Sequence, residues 1–102
     1  MAERVDQAKR AEPAERTQGE IPLLGVVAIR VENRMECAPA VNDVLTAFGQ
    51  IIVGRLGVPH REAGVSLITV AVDGAKARVD ELVERLQRIS GVSVKWAVWD
   101  EE

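Results

Sequence analysis

Two apolar, β-branched segments, 51–58 and 65–72, are separated by only six residues, Pro59, His60, Arg61, Glu62, Ala63 and Gly64. A parallel return between neighbouring strands needs a crossover of a dozen residues or more, so a connection this short dictates an antiparallel hairpin. Everything else must be arranged around it. Upstream, Leu-Leu-Gly-Val-Val-Ala-Ile-Arg-Val from Leu23 to Val31 is apolar in both alternating sets, as a central strand is. After the polar stretch 32–36 come Val41, Val44, Leu45 and Phe48, spaced i, i+3, i+4 and i+7, which predicts a helix with one buried stripe. Pro39 is expected in its first turn and Gly49 at its end.

Downstream of the hairpin, Asp73 and Gly74 are expected to break the strand and open a second helix over 75–89. There Val79, Leu82, Val83, Leu86 and Ile89 trace a single face. The pairs Glu81 with Arg85 and Glu84 with Arg88 suit its solvent side. Ser90 and Gly91 stop the helix, and Val92, Val94, Trp96 and Val98 alternate through a last strand that also holds Trp99. The order is β-α-β-β-α-β, which predicts an α+β, ferredoxin-like domain: a four-stranded antiparallel sheet with two helices on one face.

The helices can cover only one side of such a sheet, yet the strands are apolar on both. In the first strand Val27, Ile29 and Val31 alternate with Val26 and Ala28. In the third, Ile68, Val70 and Val72 alternate with Val65, Leu67 and Ala71. A contiguous apolar surface left in water marks an interaction site, so a homo-oligomer, dimer or tetramer, is expected. With aromatics at 3% the core must be aliphatic and thin, which makes association a natural supplement to stability.

The 102 residues leave room for one domain. Residues 1–20 carry almost no large apolar side chain after Val5 and are expected to form a flexible tail, with the regulatory domain at 21–102. Thirteen basic against 16 acidic residues give a net charge of -3, which argues against phosphate neutralisation and hence against direct nucleic-acid binding. No apolar run reaches membrane-spanning length and no signal-peptide pattern opens the chain, so cytoplasmic residence is expected.

Cys37 and His60 are the only thiol and imidazole, too few for a four-ligand zinc site in one subunit. Only a site shared between subunits, with Glu32 or Asp73 added, would supply more donors. One His and one Cys fit no nucleophile template, and Gly54 and Gly57 lead to no helix that would cradle a phosphate. An enzyme is therefore not expected, and no cofactor is expected. Arg55 stands out because a guanidinium in an apolar strand must find a carboxylate, an anionic ligand or water. It suits either an intersubunit ion pair or a ligand contact.

Gly54-Arg-Leu-Gly-Val-Pro59, the Gly64-led strand that ends in Asp73-Gly74, and Gly91-Val-Ser-Val-Lys95 together resemble the family of iron-only hydrogenase system regulators. The resemblance runs from about Gly25 to Val98. It implies an ACT-like fold, related in shape to the ligand-sensing domain of the nickel-responsive repressor, and a small oligomeric protein of bacterial metabolic regulation. His60 stands where that pattern has a Tyr. ACT-type modules hold small effectors at the junction of first strand and first helix, which here is 32–36. The expected ligand-binding residues are accordingly Glu32, Asn33, Arg55, His60 and Arg61, around an unidentified small effector. The alternative partner is a protein, held by a ligand-free interaction subunit.

Overall fold

A computed structural model of the chain describes residues 22–60 and 64–99. The expected tail lies outside the described residues. In chain order the elements are β1 (Pro22–Val31), α1 (Arg34–Ala47), β2 (Ile52–His60), β3 (Val65–Ala75), α2 (Lys76–Gln87) and β4 (Val92–Trp99). The strands form one antiparallel sheet in the order β2-β3-β1-β4, the arrangement expected of a ferredoxin-like domain.

Register explains which alternating set is buried. Val27 lies opposite Val70 on one side and Trp96 on the other, and Ile29 opposite Ile68 and Val94. This set faces the helices, where Leu23, Val27, Ile29, Val31, Ile68, Val70 and Val72 are buried. They pack against Val41, Val44, Leu45 and Phe48 from α1 and its end, and Val79, Leu82, Val83 and Leu86 from α2. Each fully buried aliphatic side chain contributes about 1.5–3 kcal/mol, so this one layer between helices and sheet carries most of the stability. Phe48 closes it at the surface, with the guanidinium carbons of Arg78 and Arg85 at 4.4 and 5.4 Å from its ring centre.

Several boundaries differ from the sequence expectation. The first helix begins at Arg34, so Pro39 sits inside it rather than in its first turn. Without an N–H, Pro39 leaves the Met35 carbonyl without its usual i+4 donor, on an exposed stretch that water can serve. β2 runs on through Pro59 and His60, which an edge strand permits because one row of its backbone groups needs no partner.

Asp73 and Gly74 do not break β3. They pair with Leu24 and Leu23, and the strand continues to Ala75. Gly74 is needed for close approach: a Cβ there would lie 2.5 Å from Cγ2 of Ile51. α2 ends at Gln87, although Ile89 still packs against the core. Its ion pairs are Lys76–Asp80, Arg78–Glu81 and Glu84–Arg88. Arg85 lies over Phe48 instead of meeting Glu81.

Candidate functional site

The corner where β1 gives way to α1 is built from three separate parts of the chain. Asn33 takes the left-handed conformation, φ 51° and ψ 57°, which Asn tolerates better than most residues, and this turns the chain sharply into the helix. Its carbonyl accepts from the N–H groups of Glu36 and Cys37, at 2.9 and 3.1 Å. Two further linkages are long-range. The Glu32 N–H donates to the Gly91 carbonyl at 2.8 Å, and the Arg34 N–H to the Gly64 carbonyl at 3.1 Å. The Cys37 thiol adds a third, donating to the Ser90 carbonyl at 3.3 Å. Gly91, at φ 85°, supplies the turn that presents those carbonyls.

A cleft of about 520 Å³ opens at this corner between Arg30, Glu32 and the start of α1 on one side and Gly64 and Val65 on the other. Small-molecule sites are commonly of that size. Arg30 holds Glu32 through a 2.7 Å ion pair whose side chains are both more than half exposed, so the pair orients more than it stabilises. Asn33 donates to the Glu36 carboxylate at 3.1 Å. Arg34 reaches the Val65 carbonyl only at 3.4 Å, a long contact that leaves most of its five donors available. Among the described residues Arg34 has no carboxylate partner. Met35, 85% exposed, adds an unbranched apolar flank. The cleft thus offers the Arg34 guanidinium, the Arg30–Glu32 ion pair, the Asn33 amide and a short apolar wall; two guanidiniums against one carboxylate suit a small anion with an apolar portion.

The five residues expected to bind a ligand are not all at this corner. Glu32 and Asn33 line the cleft. Arg55 is on the helix side of the sheet, opposite Val70, and donates to the Asn42 side-chain oxygen of α1 at 2.8 Å. Val70 is five residues from Val65 along β3, about 17 Å at strand rise, so Arg55 does not reach the cleft. His60 pairs with Val65 through the backbone, and Arg61 lies outside the described residues. Arg30, Gly64 and Val65 were not expected at the site. A charge between Ile29 and Val31 was the signal for Arg30, whereas Gly64 and Val65 arrive through pairing across the sheet. Among the described residues no three or more of His, Cys, Asp and Glu cluster as metal ligands, and no helix is long and apolar enough to cross a membrane.

Sheet order, helix placement and corner cleft define a ferredoxin-like α+β domain with a polar recess at the head of its first helix. The chain belongs to the TM1266-like family, described as "Iron-only hydrogenase system regulator, putative", whose family model matches residues 23–96. Among solved structures it is similar to TM1266 from Thermotoga maritima, at 30% identity and a TM-score of 0.72, over 76% of this chain and 96% of that one. Two more distant matches are the C-terminal domain of the MgtC protein from Mycobacterium tuberculosis and the apo form of CPII from Thiomonas intermedia K12, a nitrogen regulatory PII-like protein. The first has 18% identity and a TM-score of 0.49, over 84% of this chain and 95% of that one. The second has 20% identity and a TM-score of 0.46, over 78% and 95%. No curated protein matches the chain.

Proposed function

We propose that the chain is a homo-oligomeric regulator of the iron-only hydrogenase system type, a non-enzyme that responds to a small anionic effector held in the corner cleft. The observation that carries this reading is Arg34, a cation without a carboxylate partner among the described residues, at the mouth of a cleft of metabolite size. Family membership supports the regulatory role. Glu32 and Asn33 shape the cleft, and Arg30 keeps the Glu32 carboxylate turned toward itself.

Thermal-shift screening with carboxylates, phosphates, amino acids, nucleotides and divalent metals tests it. An anionic ligand at a hundred times its Kd stabilises by about 2.7 kcal/mol, a shift well within reach of the method. Arg34→Gln is expected to abolish the shift while leaving the far-UV spectrum unchanged. No shift with any compound, or an undiminished shift in Arg34→Gln, counts against the cleft. The rival reading, a ligand-free interaction subunit, draws on the uncovered apolar side of the sheet; retention of an unrelated metabolic enzyme on the purified protein would favour it.

A further inference from the structure

The side of the sheet away from the helices is apolar over most of its breadth. Leu24 and Trp99 lie opposite one another on β1 and β4 and make one corner. Leu56, Val58 and Leu67, on β2 and β3, make the diagonally opposite corner. With Val26 these side chains are between 40% and 67% exposed. Ala28, Thr69, Ala71 and Ala97 form a low middle between the two corners, and register keeps them on the same side. The charged groups of this face, Arg30, Lys95 and Asp73, stand toward the two remaining corners.

Scaling each large side chain by its exposure gives roughly 600 Å² of apolar surface, the upper limit of the ~300–600 Å² patches on typical monomers. The small residues between them carry the total toward the ~800 Å² per partner of a stable protein interface. We propose that this face is an isologous interface between two copies of this chain, packed sheet on sheet. It deepens the oligomeric part of the functional reading by naming the partner and the surface, and it is independent of what the cleft binds.

The arrangement is self-complementary. When a second copy is turned over about a two-fold axis that runs through the low middle along the diagonal joining the two apolar corners, the Leu24 and Trp99 corner meets its own counterpart, and the Leu56, Val58 and Leu67 corner meets its own at the other end. Small residues face small residues at the centre, which lets the sheets close to about 10 Å. The same operation brings the Asp73 corner of one copy to the Arg30 and Lys95 corner of the other, opposite charges meeting at the rim where water still reaches them. A different protein would need to reproduce the same pair of diagonal corners, whereas a second copy has them already.

Sedimentation equilibrium of the full chain between about 1 and 100 µM tests this. The chain is expected to be a dimer, and Leu24→Glu and Leu67→Lys are each expected to weaken it at least about a hundredfold. Both positions are exposed in the single chain, so folding is preserved, which circular dichroism checks. Mixing Leu24→Glu with Leu24→Lys restores a dimer, because the introduced carboxylate meets the introduced ammonium at one end and the unaltered Leu56, Val58 and Leu67 corners meet at the other. Gln87→Glu, on α2, leaves the dimer intact. A monomeric wild-type chain, a dimer that survives Leu24→Glu, or a mixture that stays monomeric overturns the proposal. Dimerisation as described without any effector binding upholds it and sinks the cleft reading alone.

Discussion

Gly74→Ala is a small change with a sharply defined expected cost. A methyl there would stand 2.5 Å from Cγ2 and 2.9 Å from Cβ of Ile51, where carbon atoms prefer about 3.5–4.0 Å. Ile51 cannot easily retreat, being buried and tied by its carbonyl to the Asp73 N–H at 2.9 Å. Overpacking of this kind costs about 1–3 kcal/mol, offset by about 0.4–1 kcal/mol because alanine restricts the unfolded chain. The net loss is about 1–2 kcal/mol, or roughly 5–12 °C in Tm for a domain of this size.

Urea unfolding at one fixed protein concentration measures it, since any oligomer adds mass-action stability. In an Ile51→Ala background the alanine at 74 should cost nothing further, giving a coupling energy of about the same 1–2 kcal/mol. A Gly74→Ala protein as stable as the parent, or more so, would refute the close approach. That is the outcome expected if Asp73 and Gly74 formed a free turn.

Phe48→Ala is expected to cost about 3–5 kcal/mol in denaturant unfolding, since it empties the site that closes the core. Phe48→Leu should lose about 1–2 kcal/mol, part of it the ring's attraction for Arg78 and Arg85. Asn33→Ala should lower stability by about 1 kcal/mol through its left-handed backbone, with Asn33→Gly close to neutral in the same thermal melt. Glu84→Gln should change unfolding free energy by less than about 0.5 kcal/mol, because both partners of its pair with Arg88 are largely exposed.

The architecture was legible because short-range patterns fix it. The brief link between 51–58 and 65–72 forced the hairpin, and the stripe Val41, Val44, Leu45, Phe48 is buried as its spacing requires. Where local chemistry misled, tertiary structure had overruled it. Asp-Gly reads as a turn by propensity, but here pairing with Leu23 and Leu24 keeps it in the strand. Pro39 reads as a helix start, but Asn33 sets the start earlier. The cleft was only half legible for a similar reason. Glu32 and Asn33 are sequence neighbours, whereas Gly64 and Val65 reach them across the sheet through backbone partners, and side-chain pattern carries no record of those. Arg55 looked anomalous in an apolar strand because its partner, Asn42, is on another element.

The carbonyls of Gly64, Ser90 and Gly91 all answer to a six-residue stretch between Glu32 and Cys37. The head of α1 is therefore a junction box: a molecule that pulled on Arg34 would pull also on Gly64, just before β3, and through Glu32 and Cys37 on the turn leading into β4. Occupancy at one corner would be felt at two loops on opposite sides of β1 without any helix having to slide.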